Sequence, residues 1–154
     1  MHSKIICAVL ISLLANIAIA DIKPFTSDGC SAFPDGTIEE ENLWLACCKQ
    51  HDLAYWMGGS SDERLTADKA LKACVERVGE PEVAKLMLLG VRVGGTPYLP
   101  TKFRWGYGWP YFRGYKPVSQ EEQQQIKRHN FKGPEFQGAS TLDLNSQKVS
   151  PSQF

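Results

Sequence analysis

Charge of one sign is what this sequence lacks. Its 17 basic and 17 acidic residues cancel, and nothing in that balance argues for nucleic acid or an acidic polymer as partner. It has no internal repeat, which excludes a solenoid or propeller of stacked units. Beyond residue 20 it has no apolar run long enough to cross a bilayer. Cysteine is sparse and odd in number, with five, and the odd one resolves at once. Lys4 precedes an almost wholly apolar run from Ile5 to Ile19, and Ala18-Ile19-Ala20 has the A-x-A form of a cleavage site. This predicts a secretory signal peptide over residues 1–20, cleaved after Ala20, too short and wrongly flanked for a membrane anchor. Cys7 leaves with it. The protein is then expected to be secreted or periplasmic, to start at Asp21, and to carry one more acidic than basic residue.

Cys30, Cys47, Cys48 and Cys74 remain. In an oxidising compartment an even set implies two disulfides, in one of three connectivities. The length suits one domain over residues 21–129. Residues 130–154 are polar and aperiodic, and are expected to form a flexible tail.

Three Ser/Thr-x-x-Glu sequences mark helix starts, because each can satisfy two orphan backbone donors reciprocally. Thr37 and Glu40 predict a helix over 38–57, stopped by Gly58-Gly59. Ser60 and Glu63 predict a second over 61–78, stopped by Gly79, and Ser119 and Glu122 a short one to Arg128. Pro81 suits the first turn of a helix over 82–93. The Gly-Gly-Ser link makes the first two helices an antiparallel hairpin. In such a pair, residues at one level have nearly constant sums of residue number. Cys47 with Cys74 and Ala54 with Ala67 share one sum, and His51 with Asp68 nearly does. A Cys47–Cys74 bridge therefore fits the register, and Cys48 is left for Cys30, since neighbours on a helix bridge poorly. The expected fold is a small, mainly α, disulfide-linked domain whose two-helix hairpin carries the site.

The chemistry concentrates in Cys47-Cys48-Lys49-Gln50-His51-Asp52-Leu53-Ala54-Tyr55. On a helix, Cys48, His51, Asp52 and Tyr55 form one polar stripe. A buried Asp68 across the hairpin would orient one nitrogen of His51 and leave the other to deprotonate water. Asp52 points about 100° around the helix, towards the loop tethered by Cys30. A carboxylate facing backbone carbonyls suits a hard cation, Ca²⁺ best of all. Thiols consumed in disulfides disfavour a transition metal. The plain readings also stand, with His51 a structural helix residue and Asp52 a solvated charge.

These residues carry a resemblance. Cys47-Cys48-x-x-His51-Asp52-x-x-Tyr55 resembles the active-site helix of secreted phospholipase A2, which usually reads Cys-Cys-x-x-His-Asp-x-Cys-Tyr. Asp68 followed by Cys74 resembles the second-helix element of that family. Ala54 and Ala67 stand where the family has two cysteines that bridge each other, so one disulfide is lost as a pair. The resemblance spans residues 28–75. It implies a Ca²⁺-dependent lipid esterase that cleaves the sn-2 ester of glycerophospholipids at a membrane surface. His51 would be the general base, Asp68 its orienting partner and Tyr55 a second donor to Asp68. Asp52 and the backbone carbonyls of Gly29, Ser31 and Phe33 would hold Ca²⁺. The family loop is glycine-rich, whereas Phe33-Pro34-Asp35-Gly36 stands here. A non-catalytic module binding Ca²⁺, lipid or a protein on the same scaffold is the alternative, and no protein partner is indicated.

Residues 98–115 are rich in tryptophan, tyrosine and phenylalanine mixed with Gly, Pro, Lys and Arg. Partial alternation in 103–109 allows a β-hairpin or a packed loop. The rings would either cover the open side of the helical core, the first expectation, or meet a membrane interface.

Overall fold

A computed structural model describes residues 21–129. It contains α1 (Leu45–Met57), α2 (Ser61–Arg77), α3 (Pro81–Gly94) and α4 (Gln120–Arg128), and no strand among the described residues. The domain is mainly helical and linked by Cys30–Cys48 and Cys47–Cys74. The expected signal peptide, residues 1–20, and the expected tail, residues 130–154, lie outside the described residues.

Two of the three capping sequences act as reciprocal boxes. Ser60 Oγ accepts from Glu63 N–H at 3.2 Å while Ser60 N–H donates to Glu63 Oε2 at 2.6 Å. Ser119 and Glu122 repeat this at 3.2 and 2.8 Å. Pro81 occupies the first turn of α3, where its missing N–H costs nothing.

The third sequence does not start a helix, and α1 begins at Leu45 rather than Ile38. Thr37 Oγ1 does accept from Glu40 N–H at 3.0 Å, but Thr37 N–H turns back onto Glu40 O. Trp44 N–H then reaches Asp35 O at 3.0 Å and its indole reaches Pro34 O at 2.6 Å. These bonds close residues 35–44 into a loop. Long-range anchoring of Trp44 outweighs the local helix signal.

α1 is buried on two sides. Trp44 and Cys47 pack with Leu71, Val75 and Met87 of α2 and α3. Leu53 and Trp56 pack with Ile22, Trp109 and Ile126. Later residues of α1 meet earlier residues of α2, from Cys47–Cys74 through His51–Asp68 to Tyr55–Arg64.

The aromatic segment is a packed loop. Gly106 and Gly108 break the alternation a strand would need, and the backbone has other work. A helix leaves its last carbonyls unpaired, and here the loop serves them. Gly106 N–H donates to Tyr55 O at 2.6 Å, Gly108 N–H to Trp56 O at 3.2 Å, and the Trp109 indole to Met57 O at 2.7 Å. Gly108 has no room for a side chain, since a Cβ there would lie 2.7 Å from the Trp56 ring. Trp105 and Trp109 are buried, whereas Tyr98, Tyr111 and Phe112 are exposed. The segment thus divides between packing and display.

Candidate active site

His51, Asp52 and Tyr55 follow one another along α1, and all three are buried. The Cys47–Cys74 bridge fixes α1 against α2 one turn before His51, and brings Asp68 opposite the imidazole. His51 Nε2 lies 2.8 Å from Asp68 Oδ1, and the Tyr55 hydroxyl donates to the same oxygen at 2.7 Å. The His51 and Tyr55 rings lie 4.2 Å apart, tilted by 37°. Asp68 is 0% exposed.

Two arginines absent from the sequence reading complete this cluster. Arg92 Nη1 donates to Asp68 Oδ2 at 2.5 Å. Arg64 Nε lies 3.8 Å from the same oxygen and donates to the Tyr55 hydroxyl at 3.0 Å. Arg64 is 2% exposed, and its remaining donors cap the C-terminal turn of α3, at Val91 O (2.7 Å) and Arg92 O (2.8 Å), and meet the Tyr115 hydroxyl. Burial pushes the Asp68 carboxyl up, but hydrogen bonds from His51, Arg92 and Tyr55 outweigh it and hold Asp68 below the ordinary range. Burial and the Asp68 charge push the Tyr55 phenol well up, so it remains a donor.

This fixes the imidazole tautomer. An ionised carboxylate offers only acceptors, so in the neutral imidazole Nε2 carries the proton and Nδ1 the lone pair. Nδ1 can take a proton from a water, and Asp68 would stabilise the imidazolium that results.

Arg64 was legible in principle. It pairs with Tyr55 at the same residue-number sum that pairs His51 with Asp68. Arg92 was not, because its position depends on how α3 docks on α2.

Asp52 has the opposite surroundings. Ser27 Oγ donates to Asp52 Oδ2 at 2.6 Å, and Gly29 N–H in turn donates to Ser27 Oγ at 3.2 Å. No cation pairs with Asp52 among the described residues. Burial, with the Asp28 and Asp35 carboxylates adding to it against the Ser27 hydrogen bond, pushes Asp52 up to about 7. Asp52 opens on a cleft of about 270 Å³ lined by Ser27, Asp28, Lys102, Phe103 and Tyr107. Lys102 Nζ reaches Asp28 Oδ2 at 3.2 Å.

Cys30 is tied to Cys48 beside this cleft, with Cα atoms 5.0 Å apart. The Phe33-Pro34-Asp35-Gly36 departure has a structural account. Phe33 packs its ring on Trp44, and Asp35 Oδ1 accepts from Cys30 N–H at 2.8 Å. Gly29 and Ser31 take left-handed backbones, at φ 76° and 57°. The carbonyls of Gly29, Ser31 and Phe33 accept no backbone hydrogen bond among the described residues. These three residues do not line the cleft at Asp52, which is bounded instead by Thr26, Ser27 and Asp28.

Among the described residues no three His, Cys, Asp or Glu side chains converge to hold a metal. A cation here would rest on Asp52 together with neutral oxygens. That donor chemistry is all hard oxygen, and a buried carboxylate short of positive charge fits Ca²⁺.

No helix among the described residues is long and apolar enough to cross a membrane, and the two disulfides indicate an oxidising compartment. No protein-family model, curated protein or solved structure matches this chain.

Proposed function

We propose that the chain is a Ca²⁺-dependent, phospholipase A2-like hydrolase of the sn-2 ester of glycerophospholipids, with its active site on an antiparallel hairpin of α1 and α2. The observation that carries this reading is the buried His51–Asp68 pair, 2.8 Å apart, with a cation-deficient carboxylate on the next residue. A structural histidine needs no such pairing of opposites.

The residues divide the work. Asp68 holds the imidazole in one tautomer, and Tyr55 and Arg92 hold Asp68. His51 Nδ1 accepts the proton of an attacking water, and the charge it gains is stabilised by Asp68. Asp52 would hold Ca²⁺ together with neutral oxygens of the adjoining loop, where Thr26, Ser27 and Asp28 line the cleft in place of the expected Gly29, Ser31 and Phe33. When bound, Ca²⁺ supplies Lewis-acid polarisation of an ester carbonyl and neutralises a phosphate. Burial of the site keeps bulk water from competing for these groups.

Fatty-acid release from mixed phospholipid vesicles, with Ca²⁺ and then with excess EGTA, tests this. Release abolished by EGTA and by His51→Gln is the expected result; unchanged release in His51→Gln removes the catalytic claim. One observation favours the non-catalytic alternative. Lys102 already places an ammonium on Asp28 at the cleft, which supplies positive charge without a metal. On that reading the protein binds lipid or a protein partner on this scaffold and releases no fatty acid.

A further inference from the structure

Phe112 combines two costs. Its side chain is 97% exposed, and its backbone sits at φ 70°, a left-handed conformation unfavourable for a bulky residue. The same loop uses glycine where it needs such a backbone elsewhere, at Gly106 and Gly114.

The turn carrying Phe112 is held firmly from both sides. Arg113 grips Glu122 with Nε at 3.0 Å and Nη2 at 2.8 Å, and its Nη1 donates to Lys116 O at 2.8 Å. Glu122 is itself fixed as the cap of α4. On the other side the Arg104 guanidinium lies 4.1 Å over the Tyr111 ring. The Phe112 ring is thus displayed on a strained, rigid support, with the Tyr111 ring 6.5 Å away. Strain spent on display points to an occupant outside the chain.

The surroundings select the occupant. Tyr98, Leu99 and Tyr111 are exposed, and Tyr98 stands beside Gly114 and Tyr115 in the same loop. Between Glu82 and Glu121 there is no aspartate or glutamate, whereas Lys102, Arg104, Arg113 and Lys116 all fall there. Arg104 is buried and donates to two carbonyls, Trp109 O at 2.6 Å and Gly106 O at 3.4 Å. No carboxylate pairs with it among the described residues, and its guanidinium lies against the exposed Tyr111 ring. Lys102 pairs with Asp28 and Arg113 with Glu122, while Arg104 and Lys116 enter no ion pair among the described residues. Projecting rings, phenol hydroxyls beside them and this excess of cations match the layers of a bilayer interface: acyl chains, headgroups and anionic phosphates. We infer that the Pro110–Phe112 turn anchors the protein on an anionic phospholipid surface, with Phe112 inserted among the acyl chains and Tyr98 and Tyr111 at headgroup level.

The inference gives the lipid reading its docking face, but its test is independent of hydrolysis. Binding of the purified protein to vesicles is measured in EGTA by co-sedimentation, with phosphatidylcholine alone and with phosphatidylglycerol added. Phe112→Gly is the decisive variant, because glycine accepts the left-handed backbone and removes only the ring. The wild type is expected to prefer the anionic vesicles, and Phe112→Gly to bind them at least about tenfold more weakly, as loss of one buried aromatic ring requires. Wild-type binding in Phe112→Gly overturns the inference, as does wild-type indifference to phosphatidylglycerol. So does self-association in solution that Phe112→Gly abolishes while vesicle binding is unchanged, since the patch is then an interface between copies. If vesicles are bound as expected but no fatty acid is released with Ca²⁺, the anchor stands and the hydrolase reading falls.

Discussion

Asp52→Asn removes one charge from the cleft and almost nothing else. Asn keeps the shape of the side chain and an oxygen for Ser27 Oγ, which donates to Oδ2 at 2.6 Å. The folded protein holds the Asp52 carboxyl at about 7 against an ordinary value of 3.8. Between those two values the folded state binds more protons than the unfolded one, so stability falls as pH rises. The protonated form's advantage is complete below about pH 4 and is lost through pH 7. At 1.36 kcal/mol per pH unit the full shift of Asp52 is worth on the order of 4 kcal/mol. Asp68 and Glu122, held below their ordinary values, work in the opposite direction and only at the acid end. Urea unfolding in EGTA at pH 5 and pH 8 measures the effect. Asp52→Asn should be more stable than the wild type at pH 8, with a much smaller difference between the two pH values. Ca²⁺ should raise the wild-type melting temperature more at pH 8 than at pH 5, because binding needs the carboxylate, and should leave Asp52→Asn unmoved. A variant no more stable than the wild type at pH 8 would refute the charge argument.

Arg92→Gln removes the closest cation from a fully buried carboxylate, and should cost about 1–3 kcal/mol in chemical unfolding. If the hydrolase reading holds, it should lower kcat with little change in KM, because Arg92 acts through Asp68 and not on substrate. Gly95→Ala would put a Cβ 2.5 Å from the Tyr55 hydroxyl, and calorimetry should register a loss of about 1–3 kcal/mol. Phe112→Gly should raise stability by a few tenths to about 1 kcal/mol by relieving the left-handed backbone, and a lower melting temperature would contradict the strain. Replacing Cys47 and Cys74 together by alanine opens a long loop and should cost about 2–4 kcal/mol in thermal unfolding.

The parts of this fold that were legible in the sequence are those set by a fixed geometry. Two facing helices have a register, and a register is arithmetic. Cys47–Cys74 and the meeting of His51 with Asp68 followed from it, Cys30–Cys48 was the pairing that then remained, and Ser60–Glu63 and Ser119–Glu122 marked the starts of α2 and α4. The beginning of α1 did not, because Thr37–Glu40 is a local signal that Trp44 overrides with bonds to Pro34 and Asp35. Arg64 was hidden by habit: a cation on a polar helix reads as solvated, and only the packing of α3 encloses it. The loop over 103–109 was ambiguous because its backbone partners, the last carbonyls of α1, cannot be read from alternation.

Asp52 and Asp68 together make a stronger argument than either does alone. They lie on neighbouring helices within one small domain, and both are buried. A fold that had only to tolerate two buried carboxylates would give each a cation. Asp68 receives Arg92 directly, Arg64 nearby, a phenol and an imidazole, and is held charged. Asp52 receives one hydroxyl, and its burial, with two nearby carboxylates adding to it, holds it towards neutrality at about 7. Environments that push two carboxylates apart mark sites where they have different tasks. Asp68 has the surroundings of a group that must stay ionised to support a base. Asp52 has those of a group whose missing positive charge comes from outside the chain. Supplying that charge from within, by Ser27→Lys, should therefore stabilise the protein at pH 8 and abolish its response to Ca²⁺, as melting curves with and without the ion would show. If Ca²⁺ still raises the melting temperature of that variant as it does the wild type, the cation binds elsewhere and Asp52 is not its ligand.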